Sequence, residues 1–113
     1  QTILQIMFDT DPEKVDNLNR IVINELHAMA SDGPREGDFT KVKEYLNKSY
    51  DENLKENSYW LSTLNHKHFY GEDTHTAYLE TVNAITPREI QEFAAELLGH
   101  GNIKTVVMMP ETE

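Results

Sequence analysis

Thr2-Ile3-Leu4-Gln5-Ile6-Met7-Phe8 places Leu4, Ile6 and Phe8 on one side of an extended backbone and Ile3, Gln5 and Met7 on the other. Successive side chains of a strand point to opposite faces, so this run reads as a strand apolar on both sides, of the kind found inside a sheet. A second stretch with the same period lies near the other end. There Ile103, Thr105, Val107 and Met109 alternate with Lys104, Val106 and Met108, and Pro110 closes the run. With helices between them, the two segments predict an α+β chain: a partial sheet with helices packed on one face. Two strands do not make a stable sheet unaided, so further strands are expected from outside this sequence. A strand that opens at residue 2 without an initiator Met carries the same expectation, that residues 1–113 are one unit of a longer polypeptide.

Between the two segments the apolar period changes to that of helices. Asp11 is placed to cap a helix opened by Pro12, with the stripe Val15, Leu18, Ile21, Val22, Leu26 and Met29, ended by Gly33-Pro34. A second helix starts near Asp38 with Phe39, Val42, Tyr45 and Leu46, and its polar second half, running to Leu54, is expected to bury little. Asn57-Ser58 marks a break, and Trp60, Leu61, Leu64, Phe69 and Tyr70 form a third stripe that stops at Gly71. Asp73 or Thr74 starts a short fourth helix with Tyr78, Leu79, Val82 and Ile85 inward. The clearest local signal is Thr86-Pro87-Arg88-Glu89, a capping box with proline at the first helical position, flanked by Ile85 and Ile90 as a hydrophobic staple. The fifth helix follows on Ile90, Phe93, Ala94, Leu97 and Leu98, with Gly99 as its left-handed stop.

Composition narrows the function classes. Ten Lys and Arg stand against twenty Asp and Glu in 113 residues, a formal charge of −10, and 38% of the residues are hydrophobic. That is one folded domain or part of one. The scattered bases cannot release counterions from a phosphate backbone as a clustered set would, which argues against nucleic acid as a partner. There is no apolar run of membrane-spanning length and no basic segment leading into an apolar export signal. With no cysteine in the chain, disulfide and thiolate chemistry are excluded.

Several constellations have a bland reading that is the stronger one. His66-Lys67-His68 invites a metal site, but residues two apart on a helix diverge, so the pair could share an ion only if the segment were not helical. Asp9, Asp11 and Glu13 alternate like the first ligands of a calcium loop. The match fails at Lys14, where the turn needs glycine, and at Arg20, where a bidentate glutamate is required. Glu89, Glu92 and Glu96 form an acidic stripe that reads as a solvated helix face. Tyr59, Trp60, Phe69, Tyr70 and Tyr78 concentrate aromatic area, which at helical spacing reads as core or domain interface. No serine has a base nearby in sequence, and neither a phosphate loop nor a zinc-binding helix motif occurs, so no catalytic, cofactor-binding or metal-ligating residue is assigned.

The order of several short segments nevertheless resembles a known family. Lys43-Glu44-Tyr45-Leu46 is followed by Glu52-Asn53-Leu54-Lys55-Glu56-Asn57-Ser58-Tyr59-Trp60-Leu61 and by Phe69-Tyr70-Gly71-Glu72-Asp73. Then come Ile85-Thr86-Pro87-Arg88-Glu89-Ile90-Gln91-Glu92-Phe93-Ala94 and a closing Val-Val-Met-Met-Pro-Glu. The succession resembles the C-terminal part of pitrilysin or insulinase-type zinc metallopeptidases, above all the bacterial zinc protease branch.

The resemblance implies the second half of a metallohydrolase-like domain, of the mitochondrial processing peptidase kind, in which helices cover one side of a sheet. It implies a non-catalytic segment, inactive alone, that supports the substrate-enclosing clamshell of a zinc endopeptidase. Zinc would sit in the catalytic half, on an H-x-x-E-H helix that this chain lacks. Partners would be the remaining domains of the parent and, through the whole enzyme, a peptide substrate. A bacterial parent of this branch would work in the periplasm or cell envelope. The alternative is an acidic α+β protein-interaction module without activity that binds a protein partner through its unpaired strand edges, whereas a fragment with exposed edges is expected to self-associate through Thr2 to Phe8 or Ile103 to Met109.

Overall fold

The computed structural model describes residues 2–110. A 3₁₀ turn, Pro12–Lys14, leads into five α-helices: α1 Val15–Asp32, α2 Glu36–Asn53, α3 Asn57–Tyr70, α4 Tyr78–Ala84 and α5 Pro87–Gly99. The described residues contain no strand, so the expected α+β fold with a partial sheet is corrected to an all-helical one. Thr2–Phe8 and Ile103–Met109 are without regular structure and exposed throughout. The physical reason is that alternation records only which faces a segment would bury. A strand also needs a neighbouring backbone to receive its N–H and C=O groups, and neither segment meets one.

The helices form where the apolar period and the turn residues place them, with differences at the ends. Gly33 ends α1 at φ 79°, and its N–H donates to the Met29 carbonyl. Gly71 ends α3 in the left-handed region, φ 74°, with its N–H on Lys67 O. The last helix runs one residue past its expected stop: Gly99 is helical and the positive φ, 64°, falls at Gly101. Asp11 does not cap the helix backbone; its carboxylate pairs with Lys14 instead. At α5 the capping box is complete, with Glu89 N donating to Thr86 Oγ1 at 3.3 Å and Thr86 N donating to Glu89 Oε2 at 2.8 Å.

Packing is pairwise. α1 lies against α5, and α2 against α4. Along α1 the positions Val15, Leu18, Val22 and Leu26 are half-buried, as their spacing requires, while Ile21 and Met29 stay exposed. Facing them, α5 supplies Ala94, one of two buried residues among those described. The other is Val82 on α4. Polar ties reinforce both pairs. The Gln91 side-chain amide donates to Ser31 O across α1 and α5. Between α2 and α4, Asn47 and Asn83 exchange reciprocal amide hydrogen bonds of 3.0 and 3.1 Å, and Lys43 Nζ donates to Asn83 O at 2.8 Å.

The result is open. The Cα radius of gyration is 17.7 Å, against about 13 Å for a close-packed chain of this length. Accessible surface is 9763 Å², where a compact monomer of 13.1 kDa would show about 6,400 Å².

Candidate functional site

The polar second half of α2, expected to bury little, carries the most developed side-chain cluster. Tyr50 continues the line Leu46, Tyr50, Leu54 at four-residue spacing, which puts its ring on the inner side of the helix where α3 and α4 begin. It stacks on Tyr78 of α4, centroids 5.3 Å apart and planes within 10°, and on His75 at 5.8 Å. Tyr59 of α3 meets Tyr50 edge-on at 6.5 Å. Trp60 lies 4.8 Å from the His75 ring, and its indole N–H donates to Leu54 O at 2.9 Å, closing the α2–α3 turn. The imidazole of His75 therefore meets rings from two helices, Tyr50 of α2 and Tyr59 and Trp60 of α3.

Hydrogen bonds set its position. Tyr59 Oη and His75 Nδ1 lie 2.9 Å apart. Partial burial, then the neighbouring Tyr50 phenol, pushes the Tyr59 hydroxyl above its ordinary pKa, so Tyr59 stays protonated. The backbone on either side of His75 is held by Asp73, whose carboxylate accepts from His75 N at 3.0 Å, Thr76 N at 2.9 Å, Thr76 Oγ1 at 2.9 Å and Lys67 Nζ at 3.1 Å. These donors, the Thr76 N–H foremost, hold the Asp73 carboxyl far below the usual carboxylate range. Asp73 thus caps a turn before α4 rather than α4 itself.

A protonated phenol against an imidazole, with no carboxylate to orient the ring and no adjacent nucleophile, is not an acid–base set. The cluster clamps the 71–77 connection to the α2–α3 corner. Its aromatic rings were legible as a core or interface group, but the group divides. Tyr59, Trp60 and Tyr78 enter the cluster, whereas Phe69 and Tyr70, 73% and 72% exposed, point away from it. Sequence reasoning missed Tyr50, for which the four-residue spacing from Leu46 is the signal that could have found it; His75, in a connection, carried no signal.

The remaining candidates stay apart. Because α3 is helical through His66 and His68, the two diverge: His66 Nε2 lies 3.1 Å from Glu72 Oε2, and the His68 ring meets Phe69 edge-on. Among the described residues no three His, Asp or Glu side chains gather closely enough to hold a metal ion. The acidic stripe of α5 is engaged along its own helix: Glu89 in the capping box, Glu92 with Arg88 at 2.7 Å, Glu96 near His100. Ser31 and Ser49 donate to carbonyls of their own helices. Ser58 and Ser62 line a shallow open depression on α3 with Leu61, Asn65, Phe69 and Tyr70. No described helix is long and apolar enough to cross a membrane.

No known protein family, curated protein or solved structure matches this chain.

Proposed function

We propose that this chain is a non-catalytic supporting segment of a pitrilysin/insulinase-type zinc metallopeptidase, contributing to the enclosure in which the parent enzyme hydrolyses peptide bonds. The ordered succession from Lys43-Glu44-Tyr45-Leu46 to the Thr86–Glu89 capping box and the Val106–Pro110 end carries this reading. The surface is consistent with a segment that works under cover: Ile3, Met7, Val106 and Met108 are 76%, 79%, 92% and 95% exposed, and apolar side chains shown this openly are elsewhere shielded by other polypeptide. Zinc and the glutamate that activates water belong to the catalytic half of such an enzyme.

The test is to sequence the coding region upstream of Gln1 and assay the complete product. An in-frame H-x-x-E-H motif and zinc-dependent peptide cleavage that is lost on deleting residues 1–113 are the expected results. Absence of both the motif and the cleavage would sink the reading. A second reading, an acidic protein-interaction module, is favoured by the exposed apolar face of α3, and it would then stand in its place.

A further inference from the structure

With four methionines and no cysteine, thioethers are the sulfur that an oxidant meets in this chain. Their surroundings divide them. Met29 sits on α1, the helix that packs against α5, and is 36% exposed. Met7, Met108 and Met109 lie in the two runs without regular structure and are 79%, 95% and 54% exposed. The Met7 sulfur accepts from Gln5 Nε2 at 3.1 Å, which engages one of its lone pairs. Exposure therefore ranks Met108 first, and the Gln5 amide holds Met7 behind it.

Position gives oxidation a consequence. A thioether is apolar and adaptable, whereas its sulfoxide is polar and chiral. In any extended conformation Met108 and Met109, being adjacent, stand on opposite faces. Val106 and Val107, 92% and 46% exposed, precede them on those same two faces. The charge in Ile103–Met109 is confined to Lys104. Two sulfoxides would put a strong dipole on each face of a stretch that is apolar from Val106 onward. Burying such a group without a hydrogen-bond partner is costly.

We propose that Met108, with Met109 and Met7 after it, is a site of reversible oxidation by peroxides that turns Ile103–Met109 from an apolar run into a polar one. A sulfur lone pair attacks one peroxide oxygen, and the S–O bond forms as the O–O bond breaks. Sulfur is oxidised by two electrons, and with hydrogen peroxide the second oxygen leaves as water, carrying both hydrogens. Methionine sulfoxide reductases, one for each epimer, reverse the step, taking two electrons from a pair of thiols and releasing the oxygen as water. None of this depends on the peptidase reading.

The test exposes the full chain to excess hydrogen peroxide and follows each methionine by peptide mass spectrometry, with circular dichroism to check that the helices remain. Met108 is expected to oxidise first, about fivefold or more faster than Met29, and the gap should close in guanidinium, where exposure is equal. Retention on a hydrophobic-interaction column should fall with the Met108 and Met109 sulfoxides and return after treatment with the two reductases. Met108→Leu/Met109→Leu, which changes two exposed side chains, should keep most of its retention under the same peroxide. Equal rates at Met29 and Met108 in the folded chain would overturn the site. Unchanged retention after complete oxidation, or an equal loss in the leucine variant, would overturn the change assigned to Ile103–Met109.

Discussion

Trp60 shows how far a side chain's identity is from its energetic role. As part of an apolar stripe it reads as core, and emptying a core site of that size costs about 3–5 kcal/mol. At 38% exposed it is instead a latch, with one ring edge on His75 and its N–H on Leu54 O. Trp60→Phe, which keeps an aromatic ring and loses the hydrogen bond, is therefore expected to cost about 0.5–1.5 kcal/mol in denaturant midpoint. A loss near the full core value would show that Trp60 is buried after all. Asp73 makes a prediction of opposite character. Its folded-state pKa is depressed by the Thr76 and His75 N–H groups and Lys67, so its contribution is complete above the unfolded value of about 3.9 and is lost as pH falls below it. Between about pH 4 and pH 2, wild type should lose melting temperature faster than Asp73→Asn. Parallel loss would exclude Asp73 as an anchor of the turn.

Among the elements, α5 carries both the best local signal and one of the two buried contacts. Its capping box depends on residues three apart and on nothing else in the fold, which is why it was legible. Thr86→Ala removes the acceptor for the Glu89 N–H and should cost about 1 kcal/mol, with α5 amides exchanging faster than those of α2. Ala94 is buried on α5, the helix that packs against α1. Ala94→Leu should therefore destabilise by about 1–3 kcal/mol through overpacking, although leucine is the apolar choice that a helical stripe invites. A neutral Ala94→Leu in thermal melting would mean that α1 and α5 can part without loss. α2 corrects an inference of the same kind. Its second half reads as solvated because its residues are mostly polar, yet Asn47 ties it to α4 and Tyr50, at the right spacing, joins it to α3, α4 and the 71–77 connection.

At the scale of the whole molecule, helix pairs are joined by few buried atoms. Val82 and Ala94 are the buried residues among those described, and much of the apolar surface faces water. Such a chain is expected to unfold with low cooperativity for its length, seen as a shallow denaturant slope. Deleting residues 1–8 should shift its melting by less than about 2 °C, below the 4–8 °C that about 1 kcal/mol produces at this size, because Thr2–Phe8 contributes no backbone ladder. A large shift would mean that the segment is paired in solution.

Helix positions, the glycine stops at Gly33 and Gly71 and the Thr86 capping box were determined by sequence alone, because each depends on contacts within one or two turns of chain. The period-two runs at Thr2–Phe8 and Ile103–Met109 were equally plain, but a period specifies faces and not partners. Whether they pair was decided by tertiary structure, and among the described residues they do not. The same holds for the aromatic residues. Sequence put Tyr59 and Trp60 in one aromatic group, but only the fold brought His75 from a connection and Tyr50 from a polar helix to meet them. Contacts between distant parts of the chain depend on which helices lie side by side, and local chemistry does not specify that.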